Sequence, residues 1–354
     1  MKQWLLYLLI VFALANLLLG MVGGLGRMGW SYSLPETIVH HGACMVGGFL
    51  GSLIALEKIV ALKKPIFFIG PFMSAGSLLC FIAGQTHVAV VLLCLASVVL
   101  CLVYGLYLLK NYSLYLVIAL AGALCWIIGN FLLLSKLFYP MAFPWWMAFV
   151  LLTVCSERLE LSKFLPVSSF VKKVFIFLLI LFVAGIALPF HLGGNVVSGL
   201  ALVGIAIWLM RYDVISITIK KKGLQAFTAR ALLSGYVALV LAGIFLISLN
   251  NTSYSYDSIV HTFFLGFAMA MIFAHGPLIL PGLLGLQVRP FHMLFYIPLF
   301  LLLISLLIRL LANANLIAFA YRLFSGWLSV MAILLYFMFM LTFMVSATRH
   351  AKVK

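Results

Sequence analysis

The sequence predicts an all-α integral membrane protein, built as a bundle of about twelve transmembrane helices. Composition is the first reason, since 66% of the 354 residues are hydrophobic and only 8% are charged, whereas a soluble domain carries roughly 25% charged residues. The mean hydropathy of +1.29 agrees with this class. Run length is the second reason, because apolar stretches of about 20 residues match a helix that crosses the hydrocarbon core. Strands of a membrane barrel would be about half as long and alternating.

The predicted spans are separated by charged or Gly/Pro-rich breaks. In chain order they are 4–23, 38–57, 65–84, 88–109, 113–134, 138–156, 171–190, 194–212, 229–249, 258–281, 291–311 and 323–346. The connections are short, so we expect one polytopic transmembrane domain over residues 1–354. The N-terminal stretch resembles a signal peptide in its single Lys and apolar core. No small-residue cleavage site followed by a polar region is present, so we interpret it as the first span.

The basic residues fall mainly on one side of these spans. If both termini are cytoplasmic, 18 of the 22 Lys and Arg residues lie on the cytoplasmic side, as expected for loops that flank membrane helices. The outer side carries only Arg27, Lys136, Arg309 and Arg322. The net charge of +16 therefore predicts a basic face that meets anionic lipid headgroups. A nucleic-acid partner would need a soluble basic domain, which the sequence lacks.

Cysteines and soluble-enzyme motifs give little indication of function. Six cysteines lie scattered within spans and form no CxxC or CxxCH pattern, so we expect small packing residues rather than a zinc ribbon or covalent haem. Cys44 is the exception, because it follows His41 by three residues on the same helix face. The sequence contains no P-loop, GxSxG or HExxH motif.

Histidines at two span ends are the strongest candidate site. His40 and His41 open the second span and His261 opens the tenth, all at the predicted outer side. Two imidazoles from two helices can hold one metal or haem, and an ionisable residue inside a membrane is a functional-site hypothesis by default. His40 and His41 are about 100° apart on a helix, so we expect one of them to face the bundle interior and act as the ligand.

A further histidine lies deeper on the tenth span. His275 follows His261 by 14 residues, which is about 21 Å along a helix. Gly276 and the prolines Pro277 and Pro281 follow it and remove backbone donors. His275 is therefore a metal-ligand candidate, a proton carrier, or a histidine bonded to a freed carbonyl. The other histidines, at 87, 191, 292 and 350, are expected to extend their polar ends toward the headgroups.

Carboxylates are scarce, which makes each one informative. Glu36 and Asp257 precede the two histidine positions and are candidates for orienting an imidazole N–H from outside the ligand set. Glu57 is followed by Lys58, which suggests either an interfacial ion pair or the start of a proton path. Glu157, Arg158 and Glu160 follow the sixth span and are expected to form a solvated charge cluster.

The residues around the two histidines resemble a known family. The second span contains His41-Gly42, Met45 and Gly48-Phe49, spaced as HG-x-x-M-x-x-GF, beside Cys44. The tenth contains His261, Gly266, Met271-Ile272 and His275-Gly276. These patterns are similar to the NnrS family of twelve-span bacterial haem- and copper-containing proteins linked to nitric oxide stress. They resemble, more remotely, the catalytic subunits of haem-copper oxidases.

The resemblance implies a low-spin haem b ligated by His41 and His261, with His40 as the alternative to its neighbour. It also implies copper as a further metal, Met45 and Cys44 as residues near the ligands, and a quinone or membrane redox partner in a bacterial inner membrane. Oxidases carry a second histidine two residues before the tenth-span ligand, where this chain has Ile259. The sixth and seventh spans contain no histidine. A complete oxygen- or nitric-oxide-reducing centre is therefore not expected, and the sequence leaves open whether the protein is an enzyme.

Two other functions remain open on the residues alone. Twelve spans and a proline-interrupted helix are common in secondary transporters, although the sequence shows no partner for an ionisable residue inside the membrane. A non-catalytic subunit of a membrane complex is the other alternative, because a large apolar surface permits it. The small residues Gly42, Gly47, Gly48 and Gly51 fit close approach of either a neighbouring helix or a flat macrocycle.

The asymmetry of basic residues generates a topology prediction. Both termini are expected in the cytoplasm, with the start of the second span facing outward. A reporter that functions only in the cytoplasm, fused after residue 354, should be active, and a reporter that functions only outside it should be silent. The opposite pattern would contradict the predicted orientation and the common depth of the two histidine positions.

Overall fold

The computed structural model describes residues 3–30, 35–248 and 254–353, and in this part of the chain the regular structure is helical without strands. Twelve helices are long and apolar enough to cross a membrane, which confirms the predicted class and helix number. They are α1 (Trp4–Arg27), α2 (His41–Leu62), α3 (Pro65–Ile82), α4 (Thr86–Lys110), α5 (Leu114–Lys136), α6 (Tyr139–Phe164), α7 (Ser169–Ala187), α8 (Gly194–Tyr212), α9 (Leu224–Ile247), α10 (Ser255–Leu283), α11 (Met293–Asn313) and α12 (Ala320–Arg349). Short helices at Pro35–Val39 and Ile215–Thr218 lie in connections. Lys2 and Lys354, which contribute to the predicted charge asymmetry, lie outside the described residues.

The surfaces of these helices are apolar. Large side chains such as Phe177, Ile180 and Phe300 are 60%, 63% and 66% exposed. In water, so many exposed apolar side chains would cause the protein to aggregate. They fit a lipid environment instead. The helices are 18 to 30 residues long, which matches the hydrocarbon thickness with some tilt. The protein is therefore a multi-pass membrane protein surrounded by lipid.

The chain forms two compact units, residues 1–156 and 157–354, and the division falls inside α6. In the first unit, consecutive helices from α1 to α5 pack against one another, and α1 also contacts α3. In the second unit, consecutive helices from α7 to α12 pack in the same way, and α10 also contacts α12. Short connections produce this pattern, since they leave consecutive helices antiparallel and adjacent. The expectation of one polytopic domain stays a prediction.

The largest difference between a predicted and an observed span boundary is at the end of the sixth span. The expected end of the sixth span at residue 156 rested on the charges that begin at Glu157, but α6 continues through them to Phe164. The helix can continue because Arg158 is buried in the second unit, as described below, rather than solvated.

Both helices that carry the candidate histidines change geometry directly after them. In α2, residues His41–Ala43 are α-helical, Cys44–Gly51 form a π-helix, and Ser52–Leu62 return to the α-helix. In α10, Ser255–His261 are followed by the π-helical Thr262–Ala268. Such wide turns are rare and occur frequently at functional sites.

Glycines let neighbouring helices approach the π-helical turns of α2. A methyl group at Gly47 would lie 2.8 Å from Leu93, and one at Gly51 would lie 2.3 Å from Trp126. A third glycine, Gly48, is covered by the amide of Asn16 from α1. The glycine-rich face of α2 therefore packs against side chains of α1, α4 and α5, which accounts for these glycines through helix packing.

A crossing of two glycines in the second unit generates a stability prediction. A methyl group at Gly199 of α8 would lie 2.6 Å from the main-chain oxygen of Gly243 in α9, whereas nothing lies within 4 Å of one at Gly105. Because backbone cannot rotate away, Gly199→Ala should destabilise the protein by about 1–3 kcal/mol. Gly105→Ala serves as the control and should leave the thermal unfolding midpoint in detergent nearly unchanged. Equal midpoints for both variants would contradict a close α8–α9 crossing.

Candidate functional site

His41 is held against α1 at the start of α2. Its Nδ1 lies 2.5 Å from the main-chain oxygen of Gly20. A methyl group at Gly24 would lie 3.0 Å from the imidazole Cε1, so the ring fits because α1 lacks a side chain there. A carbonyl oxygen only accepts hydrogen bonds, and Nδ1 is therefore the donor. In the neutral ring Nε2 is then the nitrogen with the lone pair.

Cys44 and Met45, expected near the ligand, face the same part of α1. A methyl group at Gly20 would lie 2.8 Å from the Met45 Sδ and 3.4 Å from the Cys44 Cβ. Cys44 is fully buried. Gly20 thus accepts the hydrogen bond from His41 and also gives room to both sulfur-containing side chains.

His40 has a different environment from its neighbour. It is buried and stacks on Phe81 with ring centroids 4.6 Å apart. Its Nδ1 lies 2.8 Å from the Tyr139 hydroxyl and its Nε2 lies 3.0 Å from the Thr86 hydroxyl. Burial, opposed by the charge of Glu36, lowers the pKa of His40 below its ordinary value. His40 is therefore the more enclosed of the two histidines, and both of its ring nitrogens have hydroxyl partners.

Glu36 lies near His40, with its Oε2 3.7 Å from the His40 Nε2. This carboxylate was expected to orient an imidazole, and the structure brings it to the histidine whose nitrogens already contact hydroxyls. It is 45% exposed, so the pair is a weak, solvent-screened interaction.

His261 ends the first α-helical segment of α10. Its Nδ1 lies 2.9 Å from the main-chain oxygen of Asp257 and 3.2 Å from the carboxylate Oδ1 of the same residue. Both oxygens accept hydrogen bonds, so Nδ1 is again the donor and Nε2 carries the lone pair of the neutral ring. The structure therefore brings Asp257 to the histidine that it was predicted to orient, and the role itself stays a prediction.

The carboxylate of Asp257 is itself held by two arginines. Arg309 of α11 donates from Nε at 2.9 Å and from Nη2 at 2.7 Å, which is a bidentate contact. Arg322 of α12 places its Nη2 3.0 Å from Oδ1. Asn313 donates to the same carboxylate at 2.8 Å. We name Asp257, Arg309, Asn313 and Arg322 the Asp257 cluster.

Sequence reasoning missed the two arginines of this cluster, because it counted them as outer-loop charges. The sequence does place these arginines near the ends of α11 and α12. It also contains few carboxylates that could pair with them. Since buried charges must be paired, the one carboxylate at the start of the tenth span was the available partner.

His275 lies in a second buried cluster of the second unit. Its Nε2 accepts a hydrogen bond from the Arg158 Nη2 at 2.7 Å, and its Nδ1 donates to the Met271 oxygen at 2.7 Å. Arginine only donates, so this contact engages the Nε2 lone pair of the neutral ring. A metal bound at this nitrogen would have to displace the guanidinium.

Asp213 is the counter-charge in this cluster. Its Oδ2 lies 3.9 Å from the Arg158 Nη1, accepts from the Tyr236 hydroxyl at 2.5 Å, and is fully buried. The expected solvated cluster of Glu157, Arg158 and Glu160 was wrong for Arg158, which is only 6% exposed. Glu160 does form an exposed pair with Lys163.

Prolines in α10 free a carbonyl that a tyrosine then binds. Pro277 cannot donate to the oxygen of Phe273, and the Tyr336 hydroxyl of α12 donates to that oxygen at 3.1 Å. His275 instead bonds the Met271 oxygen. The expected histidine-to-freed-carbonyl contact is therefore replaced by one from Tyr336.

Other residues considered in the sequence have the following environments. Glu57 and Lys58 form an ion pair at 2.8 Å, and all six cysteines are free thiols. His87 and His191 are exposed. Among the described residues, no group of three or more His, Cys, Asp or Glu side chains is arranged to hold a metal ion.

Twelve apolar helices define the class, a polytopic all-α membrane protein. Within it, the chain belongs to the family described as "Domain of unknown function (DUF8744)", whose model matches residues 5–345. No curated protein and no solved structure matches the chain.

The environment of His40 generates a pH prediction. Its pKa is lowered in the folded protein, so below the ordinary value the unfolded chain binds the proton first and stability is lost as the pH falls. The thermal midpoint of the purified protein should therefore drop on going from pH 7.5 to pH 5. The drop should be smaller in His40→Gln, while the exposed control His87→Gln should retain it in full. An identical pH slope in all three proteins would exclude His40 as a source of acid sensitivity.

Proposed function

We propose that the protein binds haem b through His41 and His261 and takes part in membrane redox chemistry or nitric oxide response. The observation that carries the proposal is the similar hydrogen bonding and helix position of the two imidazoles. Each donates its Nδ1 proton to a main-chain oxygen and each lies where its helix passes into a π-helix.

The donor chemistry of these residues fits the group. Histidines that bind metals usually donate the other ring N–H to a carbonyl or carboxylate, which fixes the neutral tautomer and directs the lone pair. His41 and His261 meet this condition, whereas His40 contacts hydroxyls through both nitrogens. This difference favours His41 over His40 as the ligand. A haem held by these two imidazoles would supply electron-transfer chemistry.

The remaining parts of the proposal rest on the sequence resemblance. The resemblance implies a bacterial inner membrane, a quinone or membrane redox partner, and copper as a second metal. The cytoplasmic termini rest instead on the distribution of Lys and Arg. His275 is the weakest metal candidate, because Arg158 donates to its Nε2.

A secondary transporter is the second candidate function, and the Arg158–Asp213 ion pair favours it. The sequence alone shows no partner for an ionisable residue inside the membrane. The second unit contains a buried Arg, Asp and Tyr beside the proline-containing part of α10. Such groups commonly mark transport pathways. If this function holds, solute or pH jumps on proteoliposomes should produce currents that Arg158→Gln abolishes, in a protein without a haem spectrum.

The haem proposal predicts which histidines control the spectrum. The purified protein should show the Soret and α bands of a six-coordinate b-type haem. His41→Ala and His261→Ala should each abolish or shift these bands, because each would remove one of the two proposed ligand nitrogens. His87→Ala and His191→Ala are controls at exposed positions and should leave the spectrum unchanged.

Three outcomes would count against this assignment. Wild-type protein without haem after expression in a haem-sufficient host would refute the function. Wild-type spectra in both single ligand variants would refute both residues. Loss of the spectrum in His40→Ala but not in His41→Ala would exchange the two neighbours.

A further inference from the structure

The two candidate ligands, His41 and His261, differ in the groups that lie near their Nδ1 atoms. The Nδ1 of His261 lies near a carboxylate as well as a carbonyl, because both oxygens belong to Asp257 one helical turn earlier. The acidic residue ahead of His41 is Glu36, which lies against His40. A carboxylate therefore lies beside the Nδ1 of His261 on α10, while the acidic residue near α2 lies beside His40.

Asp257 has little freedom to leave this position. Two arginines from two other helices and the amide of Asn313 donate to its carboxylate. The bidentate geometry of Arg309 fixes the plane of the carboxylate as well as its distance. Asn313 also donates to the Ser258 hydroxyl at 3.0 Å, which ties the end of α11 to the start of α10.

Two positive charges lie beside the Asp257 carboxylate. Arg309 and Asp257 are 7% and 16% exposed in their side chains, and Arg322 is 14% exposed. Arg322 also lies over the Tyr254 ring, with its guanidinium carbon 4.7 Å from the centroid. Attraction between these partly buried charges is screened less than at a surface, so the arginines hold the carboxylate in place beside His261.

We propose that Asp257, clamped by Arg309 and Arg322, is the positioning residue for His261, and that it makes this imidazole a stronger electron donor toward a bound iron. The inference rests on the proposed function, since electron donation matters through the iron. An N–H shared with a carboxylate raises electron density on the ring. Such a ligand would favour ferric over ferrous iron and would lower the midpoint potential, which ligand identity and hydrogen bonding control.

Asp257→Asn tests this inference, because it removes the charge and keeps the main-chain oxygen that also accepts from His261. The matched control is Glu36→Gln, which makes the same change beside His40. With haem bound, Asp257→Asn should raise the midpoint potential while Glu36→Gln leaves it unchanged. In protein labelled with ¹⁵N-histidine, the Nδ1 resonance of His261, assigned by its loss in His261→Gln, should move to the position of a weaker hydrogen bond only in Asp257→Asn.

The clamp is tested by Arg309→Lys, which keeps the charge and loses the bidentate contact, and should shift both readouts less than Asp257→Asn does. If Asp257→Asn fails to fold because two arginines lose their counter-charge, Asp257→Asn with Arg322→Gln restores the charge balance and should show the same shifts.

The two proposals fail in distinguishable ways. Wild-type protein without haem refutes the proposed function, while the nitrogen resonance of His261 still reports its contact with Asp257. A haem-containing Asp257→Asn protein with the wild-type potential and resonance overturns the positioning role and leaves the haem ligands intact.

Discussion

Scarcity of water around a membrane helix is the constraint on which this structure depends. Polar groups in hydrocarbon cannot be left to solvent, so each must be bound inside the protein. The chain has only six acidic residues, and two of them, Asp213 and Asp257, each have an ion-pair contact with arginine and further donors from other helices. Their partners lie on different helices, so the pairs fix which helices meet and at what height.

The same constraint explains how the proline-containing part of α10 is accommodated. Pro277 frees a carbonyl, and the Tyr336 hydroxyl from α12 binds it. A methyl group at Gly276 would overlap the Tyr336 hydroxyl, at 2.2 Å, so the glycine provides the room for that contact. A proline that would be costly in isolation thus becomes a point of attachment between α10 and α12.

Much of the fold could be predicted from the sequence, because span length and composition report directly on the membrane. The twelve helices were predictable for this reason. The end of α6 was not, since Arg158 has the same charge whether it is solvated or paired with Asp213. The π-helical turns after His41 and His261 were also beyond prediction, because no residue pattern in these apolar runs distinguishes them from an ordinary α-helix. The contact between Asp257 and His261 was predictable from their spacing of four residues, which places them on one helix face.

These contacts restrain α10 at two points along its length within the second unit. Its first turn is tied to α11 and α12 through the Asp257 cluster, and its later part is tied to α6 through Arg158 and to α12 through Tyr336. The two histidines of this helix lie 14 residues apart, about 21 Å along a regular helix axis, and each participates in one of these attachments. Displacement of α10 along its axis would therefore strain charged contacts at both positions. The orientation of His261 follows from a helix restrained in this way, and a side chain restrained by a rigid shell is the kind that can hold a ligand nitrogen in a fixed direction.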